Sequence, residues 1–143
     1  MIAVDSNLLV YAHRADSSWH RRAERCIRGL AEGSAPWAIP WACVHEFLAI
    51  VTNARIYRPP TPLELALQQV EAWLASPSVI LLGEKADDWD ALKKVLKLGR
   101  ITAGMVHDAR IGALCMQHGA AVLWSADRDF SRIHGLKVVN PLI

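Results

Sequence analysis

The sequence predicts an α/β protein, a three-layer α/β/α sandwich around a central, mainly parallel sheet. Short apolar runs of strand length alternate with longer segments whose apolar residues recur at helical spacing. Strands that are joined through helices run parallel, so this alternation predicts the sheet. A chain of 143 residues with 52% hydrophobic residues suffices for one core, and we expect a single domain over residues 1–143.

The first half of the chain is predicted to contain two strands and three helices. The apolar run Ile2 to Asp5 has the length of a strand, and Ser6 can cap a helix that reaches Arg14. A helix over 18–33, a strand over 36–40 and a helix over 41–53 are expected to follow. Their helical spacing predicts two inward faces: Trp19, Ala23, Cys26, Ile27 and Leu30, and then Val44, Phe47, Leu48 and Val51.

The second half is predicted to contain three strands and three helices. After a loop over 55–60, Thr61 and Pro62 precede a helix, and its predicted inward residues are Leu63, Leu67, Val70 and Leu74. Val79 to Leu82 has the composition of a buried strand. The remaining predicted elements are a helix over 86–98 that stops at Gly99, a helix over 106–118 that stops at Gly119, and strands over 121–124 and 137–139.

Composition excludes several classes of protein. No apolar run approaches the roughly 20 residues that a membrane span requires, and no basic leader precedes the first strand, so we expect a soluble, cytoplasmic protein. Cys26, Cys43 and Cys115 lie far apart in apolar helical segments, which favours small core residues over a metal or disulfide motif. A net charge of +2 is too small to indicate a nucleic-acid partner.

Four carboxylates stand where the predicted fold leaves them poorly hydrated. Asp5 ends the first strand and Asp127 lies just beyond the strand over 121–124, so both can project over the carboxyl edge of the sheet. Asp108 shares a helix face with Ile111, and Glu46 lies within an apolar helix. Taken singly, each acid could be a cap, a turn residue or part of an ion pair.

Their joint occurrence favours a metal centre. A buried carboxylate needs a partner, because desolvation costs several kcal/mol per ion, and no helix supplies Lys or Arg at a spacing that neutralises all four. Oxygen ligands suit Mg²⁺ or Mn²⁺. A metal ion held by Asp5 and Asp108 could activate water for attack on a phosphodiester, which predicts a nuclease.

Five segments of the sequence together resemble a known family. They are IAVDSN at 2–7, VHEFL at 44–48, HDARI at 107–111, WSADRDF at 124–130 and GLKVVNP at 135–141. In order and spacing they resemble PIN-domain ribonucleases, and most of all the VapC toxins of bacterial toxin–antitoxin modules. The resemblance implies a PIN-like fold and a Mg²⁺- or Mn²⁺-dependent endoribonuclease. It also implies a homodimer and inhibition by a small VapB-type antitoxin.

The resemblance also implies roles for individual residues. Asp5 and Asp108 would be the principal metal ligands, Glu46 would support the metal or its water, and Asp127 would complete the acidic ring. Asp129, in the same turn, is an alternative to Asp127. Two polar neighbours, Asn7 and Ser125, could orient a carboxylate or bind a metal-bound water, or could equally cap a local turn.

Several arginines and tryptophans allow either a functional or a structural interpretation. Arg110 and Arg128 could contact phosphate or act as counter-ions for the acids. The basic stripe on the second helix, formed by Arg21, Arg25 and Arg28, is more typical of a solvated face than of an RNA track. Most tryptophans, including Trp19, Trp73 and Trp89, have core spacing, although aromatic rings can also stack on bases. The acids at a helix start, Asp87, Asp88 and Asp90, are interpreted as structural.

Competing functions have weaker support. An aspartyl-phosphate phosphatase needs a second Asp where this chain has Asn7, and no Gly-rich phosphate-binding motif occurs. His45 and His107 lack the spacing of a zinc site. The remaining alternative is a catalytically silent PIN-like module that binds RNA or protein.

Overall fold

The computed structural model describes residues 1–143 and contains a five-stranded parallel sheet. The strands are β1 (Ile2–Val4), β2 (Trp37–Pro40), β3 (Val79–Leu82), β4 (Val122–Trp124) and β5 (Lys137–Val139). Their order across the sheet is β3-β2-β1-β4-β5, and every neighbouring pair is parallel. The predicted α/β fold class is confirmed.

Six helices flank the sheet, namely α1 (Ser6–His13), α2 (His20–Glu32), α3 (Trp41–Val51), α4 (Leu63–Leu74), α5 (Asp88–Gly99) and α6 (Met105–Gln117). The connections from β1 to β2 and from β2 to β3 step toward one edge, and the next connection returns past β1. Because such crossovers are right-handed, α1 to α4 cover one face and α5 and α6 cover the other. The helix contacts agree, since α1 contacts α2 and α3 whereas α5 contacts α6. None of the helices is both long enough and apolar enough to span a membrane.

The strand order creates a topological switch point between β1 and β4. From β1 the chain moves to β2 on one side, and from β4 it moves to β5 on the other. The loops that leave the carboxyl ends of β1 and β4 therefore diverge and leave a crevice between them. In open parallel sheets this crevice is the usual place of a ligand site.

The hydrophobic core is continuous and centres on β1 and β2. Ala3, Val4, Ala38 and Ile39 are all 0% exposed, as expected for strands that are covered on both faces. The prediction that Val79–Leu82 is a buried strand is wrong, because β3 is an edge strand and Ile80 is 42% exposed. Length and composition do not distinguish an edge strand from a central one.

The predicted inward face of α4 is also wrong in part. Leu63 and Leu67 are 62% and 37% exposed, whereas Ala66, Val70 and Trp73 are buried. The reason is an aromatic contact: the rings of Phe47 and Trp73 meet edge-to-face with centroids 4.8 Å apart. With Trp73 held in the core by this contact, Leu63 and Leu67 point away from the core, whereas Leu74 packs against it as predicted.

Tryptophans divide between core and surface. Trp37 and Trp73 are buried, but Trp19, Trp41 and Trp89 are 37%, 40% and 59% exposed, which contradicts the core assignment of Trp19 and Trp89. Helical periodicity does not apply to Trp19, because α2 begins only at His20. In the first turn of α5 the neighbour of Trp89, Asp88, faces inward instead.

The cysteines match their prediction in two of three cases. Cys43 and Cys115 are buried and all three cysteines are free, whereas Cys26 is only partly buried. Cys26 faces the C-terminal tail, where its thiol lies 3.9 Å from the carbonyl oxygen of Pro141.

Helix α5 ends one residue later than predicted. Gly99 is its last residue, and Arg100 is the cap, in the left-handed region at φ 50°. Gly99 is required instead for a close approach, because a Cβ built there would lie 2.5 Å from the carbonyl oxygen of Arg132. This contact joins α5 to the 3₁₀ turn Asp129–Arg132.

Gly99→Ala is therefore expected to destabilise the protein, by about 1–3 kcal/mol, because the added methyl group must displace backbone. Gly29→Ala is the matched change, since Gly29 lies inside α2 with nothing within 4 Å of the added carbon. It should stabilise the protein by about 0.5–1 kcal/mol through helix propensity. Urea unfolding measures both free energies, and equal shifts of the same sign would contradict the close approach at Gly99.

Candidate functional site

The site residues lie at the switch point between β1 and β4. Asp5 directly follows β1, and its backbone N–H donates to the carbonyl oxygen of Trp124 at 3.0 Å. This bond extends the pairing of β1 with β4 to the residue that carries the carboxylate. Asp127 leaves the end of β4 three residues after Trp124, so the two acids emerge at the same edge of the sheet.

The Asp5 carboxylate is held by four donors. Its Oδ1 accepts the backbone N–H of Ser6 at 2.8 Å and lies 3.6 Å from the Sγ of Cys43. Its Oδ2 accepts the hydroxyl of Ser125 at 2.7 Å and the side-chain amide of Asn7 at 3.2 Å. Asp5 is 4% exposed, so these bonds fix a nearly buried carboxylate in one orientation.

Asn7 and Ser125 also position the loop that carries Asp127. The Asn7 amide donates to the Ser125 hydroxyl at 3.1 Å, and its carbonyl oxygen accepts the backbone N–H of Ala126 at 3.1 Å. The backbone N–H of Asp127 donates to the Ser125 hydroxyl at 3.0 Å. The structure shows both roles that the sequence left open: both residues contact the Asp5 carboxylate, and the Ser125 hydroxyl also caps its local turn by accepting the backbone N–H of Asp127.

Glu46 reaches the site from α3 and is half-buried. The hydroxyl of Ser6 donates to its Oε2 at 2.6 Å. Ser6 was expected to cap α1, but the cap is Asp5, whose side chain accepts the N–H of Ser6. The sequence analysis missed Ser6 and Cys43 as contacts of the acids. The three-residue spacing of Cys43 and Glu46 on one helix was the available signal.

Asp108, Asp127 and Asp129 form the tightest group of acids. One carboxylate oxygen from each lies within 4.8 Å of the others. Asp108 stands in the first turn of α6, and the backbone N–H of Asp129 donates to Oδ1 of Asp127 at 2.9 Å. The sequence left Asp127 and Asp129 as alternatives, and the structure brings both beside Asp108.

The pKa of Asp108 depends on the charges of the four neighbouring acids. Its pKa is raised to about 6, first by burial and then by the negative charges of Asp127, Asp5, Asp129 and Glu46. These five carboxylates are the acid cluster of the protein: Asp5, Glu46, Asp108, Asp127 and Asp129. The ionised form of Asp108 is therefore disfavoured unless a cation binds beside it.

Burial is also the main cause of the raised pKa of Asp5, and the charge of Glu46 adds to it. Hydrogen bonds from Ser125 and from the backbone of Ser6 oppose this shift, because they stabilise the ionised form. These hydrogen bonds therefore favour the charged form of the buried Asp5 carboxylate.

No Lys or Arg forms an ion pair with the acid cluster. The ion pairs of the protein are Arg14 with Asp16, Arg28 with Glu24, Lys93 with Asp90, Arg110 with Glu84 and His118 with Asp88. The acid cluster thus offers only carboxylate oxygens as metal ligands, and no ion pair compensates its negative charge. This donor set fits a hard divalent cation such as Mg²⁺ or Mn²⁺.

The two arginines near the acid cluster differ in whether they form an ion pair. Arg110 donates from Nε and Nη2 to the carboxylate of Glu84, so its ion pair is with Glu84 and not with the acid cluster. Arg128 is exposed and forms no ion pair. Asp88 has the predicted structural role, since it accepts the backbone N–H of Lys85 at 2.7 Å and contacts the ring of His118.

A parallel sheet with acids gathered at the switch point fits a PIN domain, and the family model described as "PIN domain" matches residues 2–136. Ribonuclease VapC37 of Mycobacterium tuberculosis (strain ATCC 25618 / H37Rv) is 32% identical over 141 residues, which are 99% of this chain and 97% of that relative. VapC ribonuclease Mb2897 of Mycobacterium bovis is 34% identical over 142 residues, covering 99% and 96%. The chain therefore belongs to the VapC ribonucleases of the PIN-domain family.

Solved structures agree on the fold. VapBC2 from Rickettsia felis, bound to a DNA fragment from its promoter, superposes with a TM-score of 0.70 at 18% identity and covers 98% of both chains. Mycobacterium tuberculosis VapC20, described as a sarcin-ricin loop cleaving toxin, gives a TM-score of 0.66 at 18% identity and covers 92% of this chain and 93% of its own.

Proposed function

We propose that this protein is a metal-dependent endoribonuclease, the toxin of a VapBC-type toxin–antitoxin pair, and that it hydrolyses RNA phosphodiester bonds. The observation that carries the proposal is the acid cluster, five carboxylates at the switch point that form no ion pair with Lys or Arg. The similarity to VapC ribonucleases supports RNA as the substrate. Chemistry of the donor set supports Mg²⁺, with Mn²⁺ as the alternative.

Within this proposal the acids have distinct tasks. Asp5 and Asp108 would bind the cation, and Asp127 and Asp129 would complete the ring of ligands or of their supporting groups. A divalent cation bound there supplies positive charge to the phosphodiester and lowers the pKa of a water molecule. The remaining work falls to the side chains of the protein.

Glu46 is suited to hold a proton. Its Oε2 is occupied by the hydroxyl of Ser6, which leaves Oε1 free to accept a proton from the attacking water. Ser125 and Asn7 orient Asp5, so that the carboxylate does not have to be ordered when substrate binds. Preorganisation of this kind lowers the cost of reaching the transition state.

The partners follow from the same family membership. A VapB-type antitoxin is proposed as the inhibitor, because solved relatives are VapBC complexes. A homodimer is proposed as well, and the exposed leucines of α4, Leu63 and Leu67, support an apolar interface. We further propose that residues 1–143 form one PIN domain, supported by one connected core, and that the protein acts in the cytoplasm, supported by its free cysteines.

Metal removal tests the proposed function. Purified protein is expected to cut cellular RNA with Mg²⁺ or Mn²⁺, to lose cleavage completely in excess EDTA, and to recover it when either metal is restored. Product ends are followed by gel electrophoresis and mapped by primer extension. Cleavage that persists in EDTA would exclude the metal mechanism.

A catalytically silent module remains the second candidate. It would bind RNA without cutting it, so wild-type protein would retain labelled RNA in both metals and leave it intact. The complete acid cluster argues against this candidate, since none of the five carboxylates is replaced.

A further inference from the structure

A groove runs from the acid cluster toward the loop before α2 and the C-terminal tail. It has a volume of about 590 Å³, which is within the range of small-ligand sites and larger than the cavities of about 260 and 290 Å³ beside α5. Asp127 and Ser125 lie in its wall, so the groove opens directly onto the reacting centre.

The chemistry of the groove wall suits a base and its phosphate. Trp19 and Tyr11 both line the groove, and Trp19 is 37% exposed. Arg128 lines the groove next to Asp127 and has no carboxylate partner. An aromatic face for stacking and a free guanidinium that line one groove are groups that proteins use to bind unpaired nucleotides.

The part of the groove that the C-terminal residues line is held in place by hydrogen bonds. Leu142 is 1% exposed, its carbonyl oxygen accepts from the guanidinium of Arg22, and its backbone N–H donates to Oδ1 of Asn140 at 3.0 Å. These bonds fasten the tail to α2 and to the loop after β5. A base entering the groove would therefore meet a fixed wall, which reduces the ordering cost of binding.

We propose that this groove binds one unpaired nucleobase next to the scissile phosphate, with Trp19 as the stacking platform and Arg128 on the adjoining phosphate. The inference rests on the proposed ribonuclease function. It makes Trp19 a positioning residue for the RNA, away from the reacting atoms. A protein segment is the competing occupant, but an apolar peptide would not use the free guanidinium beside Asp127.

A double-mutant cycle between protein and RNA tests the groove. The substrate is an RNA oligonucleotide that the wild type cuts at one mapped bond, compared with versions that carry an abasic ribose on either side of that bond. Trp19→Ala is expected to lower kcat/KM on intact RNA by about 5- to 100-fold, mainly through KM. One abasic version should slow the wild type by a similar factor and should slow Trp19→Ala no further.

Controls separate stacking from misfolding. Trp19→Phe keeps an aromatic face and should stay within about threefold of wild type, whereas Trp89→Ala removes an exposed tryptophan on α5 and should cleave normally. The rise in Tm on adding Mn²⁺ should be the same for Trp19→Ala as for Trp19→Phe. An equal rise shows that the metal site is intact in both variants.

Four outcomes would overturn the inference. If Trp19→Ala cleaves like Trp89→Ala, or if it remains fully sensitive to the abasic site, Trp19 does not stack on the base. If Trp19→Ala cleaves normally but resists inhibition by the VapB-type protein encoded beside it, the groove belongs to the protein partner. If wild type cuts no RNA with either metal, the ribonuclease function fails and the groove assignment fails with it.

Discussion

Asp108→Asn is expected to lower RNA cleavage about a thousandfold or more and, at the same time, to stabilise the metal-free protein at neutral pH. The loss of activity follows because the substitution removes a central carboxylate of the acid cluster, and metal-assisted charge stabilisation contributes several kcal/mol. The gain in stability follows because burial and four neighbouring negative charges destabilise the ionised carboxylate of Asp108.

The pH dependence of this effect has a definite sign. The fold raises the pKa of Asp108 to about 6 from an ordinary value of 3.8, so the native state favours the protonated carboxyl. Its contribution to stability is therefore complete below pH 3.8 and is lost as the pH rises through about 6. In EDTA, the advantage of Asp108→Asn over wild type should be larger at pH 7.5 than at pH 5.

Asp90→Asn is the matched control for Asp108→Asn. Asp90 lies on α5 with its side chain 85% exposed, and its only ion pair is a 3.8 Å contact with Lys93. The control should cleave RNA normally and melt like wild type. Added Mn²⁺ should raise the Tm of wild type and of Asp90→Asn far more than that of Asp108→Asn. A melting temperature of Asp108→Asn that is lower than wild type at pH 7.5 in EDTA would contradict the proposed charge repulsion.

The second large effect is expected for Ser125→Ala, which should reduce cleavage by about 10- to 100-fold without removing any carboxylate. The Ser125 hydroxyl donates to Asp5 at 2.7 Å and accepts from the backbone of Asp127, so its loss loosens the two acids together. Because this hydroxyl lowers the pKa of Asp5, its removal should raise that pKa further. The acid limb of the pH–activity profile should then move to higher pH.

A pH profile distinguishes this role from simple loss of stability. Ser125→Thr keeps a hydroxyl and should retain the wild-type acid limb, whereas Ser34→Ala, at an exposed position, should change nothing. If Ser125→Ala loses activity equally at all pH values, the hydroxyl does not act through the ionisation of Asp5.

Much of the fold and of the site could be predicted from the sequence because both depend on order along the chain. Strands that alternate with helices must run parallel, and acids that follow parallel strands must meet at one edge. This logic was sufficient to bring together Asp5 and Asp127. The inward placement of Asp108 followed from helical spacing alone.

The remaining details depend on contacts between distant residues, which spacing does not encode. Trp73 is held in the core by its contact with Phe47, so Leu63 and Leu67 could not be placed by periodicity. Ser6 donates to a carboxylate 40 positions away, and that pairing exists only once α3 has packed beside α1. The edge position of β3 likewise requires the complete strand order.

The pairing of β1 with β4 also affects when the protein becomes active during its synthesis. Asp5 leaves the ribosome 120 residues before Ser125, the side chain that orients it. A nascent chain holding β1, β2 and β3 can begin to fold, since chains fold from the N-terminus as they emerge. Such a chain still lacks the β4 side of the crevice, so a ribosome that is making this protein is not exposed to a working nuclease until β4 and Ser125 have also been synthesised and folded.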